Sequence, residues 1–288
     1  ARFFAEATDW LSVPTDSSAS SIRWLHCRGL SGLWDAPYAL REMLADEDDP
    51  KPPTFLEPPE CRFDIEKDDP DELLGYQQAL EAQVAMLDDF LGIVFDMIHQ
   101  PQFANTLFCF LTPRGYPLGE HGVVGSPEST DLELEQAFNG QCFCESVQVP
   151  VMFRFPNHRN LADAKMARCH SLVRMDQLLP ALADFVDGTE DQLTKFLDKY
   201  AFSLPNLSSE FAVSRFEEEA AIQTHAWKLV LHLPSGSTQL FAKPDDRWEV
   251  NDVSRRCPQV VEALEAFLRA QLEQQDLSIE LTDDMCRR

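Results

Sequence analysis

The run Asn105–Thr112, NTLFCFLT, sets the tightest limit on what this chain can fold into. From Leu107 to Leu111 every side chain is apolar or Cys, with no alternation. A strand with one face in water alternates between apolar and polar residues. A continuous run this short suits a strand covered on both faces, the habit of a central strand in a parallel sheet. The residues before it predict the cover. Over Asp71–Gln100, Tyr76, Leu80, Val84, Leu87, Leu91, Val94 and Ile98 recur at spacings of three and four, giving one apolar helical stripe. Pro70 and the acidic residues after it suit a helix start, and Gly92 within the helix suggests close packing.

Other segments extend the pattern. Ser21–Leu30 (SIRWLHCRGL) reads as a buried strand ending at Gly29, and WDAPYALREML as a turn at Pro37 followed by a short helix. Asp46–Glu60 holds an acidic run and five prolines and reads as an extended surface crossing. Val147–Pro156 reads as a further strand and Met175–Val186 as a helix. After Gly188 the character changes. Ala220–Thr224, Trp227–Leu233 and Thr238–Phe241, turned at Pro234–Ser237, predict a small antiparallel sheet. A helix over Pro258–Gln274 follows, with Val261, Leu264, Leu268 and Leu272 on one side. The expected fold class is therefore α/β: a mostly parallel sheet with flanking helices, plus a small C-terminal antiparallel α+β subdomain. The expected organisation is an α/β core over residues 1–190, the sheet-and-helix subdomain over 191–274 and a flexible tail over 275–288.

Charge excludes some functions. A formal net charge of −25 opposes general binding to nucleic acid or an anionic membrane, both of which need a positive surface. No apolar run reaches transmembrane length and no targeting segment is visible, which suits a soluble chain of unassigned compartment. The chain begins with Ala1 rather than Met, so the absence of a leader says little. The eight cysteines do not form the paired Cys-x-x-Cys pattern of a zinc site; Cys27 and Cys109 read as small core residues.

Five stretches, taken in order, resemble the second half of the sulfatase family within the alkaline-phosphatase-like superfamily. They are YQQALEAQVAMLDDFLGIVFDMI, FLTPRGYPLGEHGVVG, ESVQVPVMFRFP, LVRMDQLLPALADFVDG, and AIQTHAWKLVLH with TQLFAKPDDRWEVNDV. The resemblance covers roughly Ser21 to Ala270. It implies a sulfatase-like sandwich and, in an active member, hydrolysis of sulfate esters by a formylglycine. That residue is made from Cys or Ser in a Cys/Ser-x-Pro-x-Arg motif, and calcium is held by oxygen ligands.

The chain departs from the family pattern where the chemistry would lie. Pro113 and Arg114 stand where the family has a metal-binding Asp-His. Ser126-Pro127 is followed by Glu128, so no Cys/Ser-x-Pro-x-Arg motif is present. Asp48-Asp49, Asp68-Asp69 and Asp88-Asp89 do not follow an N-terminal strand. No catalytic or metal-binding residue is therefore assigned. A vestigial cleft is outlined by His26, Arg114, Glu120, His121 and Lys228. Glu120 and His121 match the family's loop, and the simpler alternative is that they brace it. Arg114 suits a small anion such as sulfate, and its alternative is a solvent-facing or Glu120-paired arginine. His26 matches a substrate-proximal position, with a packed histidine as the favoured alternative. Lys228 either reaches toward the cleft or lies on an edge strand, while Trp227 beside it reads as a core anchor.

The resulting expectation is a sulfatase-like domain without catalytic apparatus, either a pseudoenzyme or the C-terminal part of a larger protein. One alternative is an active sulfuric-ester hydrolase whose nucleophile and early metal ligands lie upstream of residue 1. In that case alone calcium would be a cofactor. Another is an acidic module that binds a basic protein partner.

Overall fold

The structure is a computed structural model. It describes residues 2–13, 21–125, 140–154, 156, 172–176, 178, 182 and 209–286. The α-helices fully within the described residues are α1 (Arg2–Ser12), α2 (Tyr38–Leu44), α3 (Pro70–Ile98), the single turn α4 (Cys144–Val147) and α5 (Pro258–Cys286). The strands are β1 (Cys61–Arg62), β2 (Phe108–Leu111), β3 (Val123–Val124), β4 (Val151–Arg154), β5 (Phe211–Phe216), β6 (Glu219–Thr224), β7 (Trp227–His232) and β8 (Thr238–Ala242). They divide between two compact units. The first comprises Ala1–Pro127, Val149–Ala167 and Ala183–Thr194; the second comprises Glu128–Gln148, Arg168–Leu182 and Lys195–Arg288.

In the first unit α3 is the organising element. The Asp69 side chain accepts from Asp71 N at 3.0 Å, Pro70 opens the helix, and Asp71 and Glu72 sit in its first turn. Its C-terminal half buries Val94 and Ile98 against Phe4 of α1, with Phe4 stacked on Phe90 at 5.2 Å. Its N-terminal half buries a different mixture: Gln78, Ala79, Ala82 and Gln83. Gln83 Oε1 accepts from Ala36 N at 3.0 Å, and Gln78 donates to Asp49 at 3.1 Å, so these polar residues are buried with partners. The buried Arg41 of α2 donates to Pro53 O and Trp34 O, both at 2.7 Å. Val84, expected on the buried stripe, is 47% exposed, and a Cβ on Gly92 would meet open space.

Among the described residues the expected parallel sheet does not form. The apolar run becomes β2, whose partner among the described residues is β4, and the two run antiparallel from Phe108↔Arg154 to Leu111↔Val151. All four β2 residues are half-buried. The other small sheet, β1 with β3, is also antiparallel. The expected flanking strand at Ser21–Cys27 has no regular structure, and Ile22, Trp24 and Cys27 are exposed. A physical reason lies in Arg23. Its guanidinium donates to Trp10 O (3.0 Å), Leu11 O (2.7 Å) and Val13 O (2.6 Å) and lies over the Trp10 ring. This satisfies carbonyls that the C-terminal end of α1 leaves without intrahelical partners. The segment is tied to a helix end rather than to a sheet. Of the helix expected over Met175–Val186, only Met175, Asp176, Leu178 and Leu182 are described, and all four are helical.

The second unit contains the antiparallel sheet expected over Ala220–Phe241, with β5 added before it, in the order β5-β6-β7-β8. Its strands obey the two-residue period. Ala220, Ile222, Leu229, Leu231 and Leu240 point to one face, where Leu268 and Leu272 of α5 cover them. Ala221, Val230 and Phe241 point to the other, where Cys142 and Phe143 cover them. Trp227 is only half-buried, at the edge of the α5 face. The helix α5 continues past Gln274 to Cys286.

Candidate functional site

In the first unit the loop Thr112–Gly125 is held by its own backbone. Gly119 N donates to Val123 O (2.8 Å), Gly122 N to Gly119 O (3.0 Å) and Gly125 N to Pro117 O (3.0 Å). All three glycines have positive φ. Gly125 is the most constrained, because a Cβ there would stand 2.5 Å from Pro59 O. The Tyr116 hydroxyl donates to the same Pro59 carbonyl, and its ring lies 5.1 Å from that of buried Trp34. β3 then pairs with β1, and Phe63 N donates to Gly122 O at 3.0 Å. The loop is a hydrogen-bonded hairpin held against residues 59–63.

The first-unit residues picked from sequence are distributed as follows. Glu120 is exposed, and its Oε2 accepts from Leu118 N at 2.8 Å, so it braces the loop. His121 and Arg114 are half-buried and each has a partner. His26 is exposed in the irregular segment and makes no hydrogen bond to a described residue. Sequence reading missed Tyr116, Tyr76 and Cys61. Burial raises the Tyr116 phenol above its ordinary pKa, Glu60 and Cys61 add to the rise, and Arg114 opposes it. Burial and the hydrogen bond to Glu72 likewise raise Tyr76, and Cys61 contributes. The Cys61 thiol is itself pushed up, first by burial. Arg114, Glu60, Cys61, Tyr76 and Tyr116 thus form one electrostatic neighbourhood. Its only sequence signal was a Tyr between Gly115 and Pro117 in a Gly-punctuated loop.

Arg114 is positive, Pro113 offers no side-chain ligand, and one Glu120 oxygen is engaged by Leu118 N. Among the described residues no three His, Cys, Asp or Glu side chains are grouped so as to hold a metal ion.

Lys228 belongs to the second unit and is 1% exposed on β7. Its Nζ donates to Glu249 Oε2 at 2.9 Å, while Lys243 Nζ lies 2.7 Å from Glu249 Oε1. Glu249 also accepts from Cys144 N at 3.0 Å and is held at φ +59°. Burial lowers the Lys228 pKa, and the attraction of Glu249 opposes that shift. A second buried carboxylate, Glu219, accepts from Gly140 N (3.1 Å), Gln141 N (3.0 Å) and Cys142 N (3.2 Å). Together they fasten residues 140–144 to the sheet. Desolvation, reinforced by Glu219 at Cys142 and by Glu249 at Cys144, pushes both thiols up to about 12. Neither is a ready nucleophile.

No protein-family model and no curated protein matches the sequence. Solved structures do. A Bacteroides fragilis protein provisionally described as the sulfatase yidJ superposes with a TM-score of 0.59 at 14% identity, covering 96% of this chain and 58% of that one. A second provisionally described sulfatase, from Bacteroides thetaiotaomicron VPI-5482, gives 0.52 at 12% identity, covering 95% and 63%. The fold is therefore like that of these two solved chains. The chain spans about six tenths of the length of these two solved chains.

Proposed function

We propose that this chain is a sulfatase-like domain with no sulfatase catalysis of its own. The observation that carries this reading is Arg114 beside Pro113, in a hairpin where Glu120 is already engaged by Leu118 N. A hard dication needs about six to eight oxygen ligands. A fixed guanidinium about 4 Å from a dication repels it by ~8 kcal/mol at an effective dielectric of 20. The positive Arg114 suits a small anion in place of a metal and is the group that would hold sulfate.

The test is a calcium titration by calorimetry, paired with an aryl-sulfate assay, on the full chain and on Pro113→Asp/Arg114→His. The unmodified chain should give neither calcium uptake nor turnover, and the double variant should take up more calcium. Tight calcium binding by the unmodified chain, or turnover, would overturn the proposal.

A further inference from the structure

We propose that the cleft beside Trp248, in the second unit, is a docking site for an arginine-bearing segment of a basic partner protein. The cleft is open, has a volume of about 550 Å³, and is lined by Asp245, Asp246, Arg247, Trp248, Val250 and Asn251 among others. Trp248 is 61% exposed and Val250 75%, yet both stand on a loop fixed from within. Lys243 Nζ donates to Asp246 O (3.0 Å) and Arg247 O (3.2 Å) and pairs with Glu249 at 2.7 Å. The Asp246 carboxylate accepts from Val250 N (3.0 Å) and Asn251 N (2.8 Å). Glu249 turns inward and is buried while its two neighbours are exposed. The indole is thus held outward by a pre-organised loop, the arrangement that limits the entropy lost on binding. Tryptophan and arginine are the residue types most enriched at binding hot spots.

Charge selects the occupant. The chain carries −25, a field that concentrates cations and repels anions. Within the cleft the Asp246 carboxylate is already engaged, whereas exposed Asp245 makes no hydrogen bond or ion pair to a described residue. The indole face is the strongest side-chain platform for a cation. Arg247 already shows the pose, with its Cζ 4.8 Å from the Trp248 ring centroid. A partner's guanidinium that displaced Arg247 from the ring, with Asp245 as counter-ion, would keep that stacking and add a charge-assisted hydrogen bond.

The experiment titrates fluorescently labelled hexa-arginine into the full chain at physiological ionic strength, reading anisotropy. Trp248→Ala should weaken binding roughly tenfold and Trp248→Phe should restore part of the loss. Asp245→Asn should weaken it several-fold. Trp24→Ala, at a tryptophan 65% exposed in the other unit, should change nothing. Circular dichroism confirms that each variant is folded. Equal binding by Trp248→Ala and the parent would reduce the effect to general attraction by an acidic chain and overturn the proposal. So would an uncharged hexapeptide or a neutral oligosaccharide that binds as well, with the same dependence on Trp248.

Discussion

Glu249→Gln and Lys228→Met, made separately, should have very unequal consequences although they remove opposite ends of one ion pair. Glu249 is 0% exposed and joins two ammonium groups, Lys228 at 2.9 Å and Lys243 at 2.7 Å, themselves 1% and 9% exposed. A glutamine there keeps the volume but leaves two buried cations without a counter-charge. Breaking a buried pair in this way costs about 3–5 kcal/mol. Lys228→Met removes a cation whose pKa is already lowered, with burial outweighing the pull of Glu249. The remaining carboxylate keeps Lys243 and the Cys144 N–H. Methionine fills much of the lysine stem's space, so the change should lie within about 1 kcal/mol of zero, in either direction. Urea denaturation gives the midpoint shift, provided the slope is unchanged. Because two compact units need not unfold together, amide hydrogen exchange on β6 and β7 should be read alongside it. A Glu249→Gln cost below 1 kcal/mol, or a Lys228→Met cost as large as that of Glu249→Gln, would refute the reasoning.

Gly125→Ala should destabilise the first unit by about 2 kcal/mol or more, since φ is +67° and the new Cβ would meet Pro59 O; thermal unfolding of the full chain checks it. Trp227→Ala, at a half-buried position, should cost roughly 2 kcal/mol, below the ~3–5 kcal/mol of a fully buried tryptophan; a urea midpoint decides between the two. The Cys142 thiol, ordinarily near 9.0, stays protonated in the fold to about 12, so its contribution is fully present below 9.0 and is lost as pH rises through the window to about 12. Stability should therefore fall by up to ~1.4 kcal/mol per pH unit for this group between those limits, measured under reducing conditions, and Cys142→Ala should flatten that slope.

The parts of the fold legible in the sequence are those where one physical signal acts locally. Pro70 and the acidic first turn marked the start of α3, and the two-residue period of β6, β7 and β8 marked the C-terminal sheet. The stripe on α3 was legible in its second half, where Leu87, Leu91, Val94 and Ile98 pack in one cluster with Phe4. In the first half the buried face carries Gln78 and Gln83, which hydrophobic periodicity reads as surface because their partners, Asp49 and Ala36 N, come from distant segments. The apolar run at Phe108–Leu111 did mark a strand, but apolarity says nothing of direction. The neighbour expected at Ser21–Cys27 is held instead by Arg23, through carbonyls at the end of α1.

The candidate sites divide along the same line. A loop punctuated by Gly119, Gly122 and Gly125 is readable because positive φ has a residue type that prefers it. A buried carboxylate has none. Glu219 and Glu249 look, in a chain of net charge −25, like two more surface acids. Yet they receive four successive-segment amides, from Gly140, Gln141, Cys142 and Cys144, across sequence separations of 77 to 105 residues. Nothing local to either glutamate announces this, and Lys228 is misread as an edge-strand lysine for the same reason. Each polar group becomes intelligible only with its partner, and the partners meet only in the fold. The same dependence fixes what substitution can do there. A carboxylate that holds segments so far apart cannot be exchanged for another acid elsewhere on the acidic surface. Glu249→Gln should therefore loosen the backbone at Cys144 as well as β7, and faster amide exchange at Cys144 without faster exchange at Gly140, Gln141 and Cys142, which rely on Glu219, would separate the two carboxylates' roles.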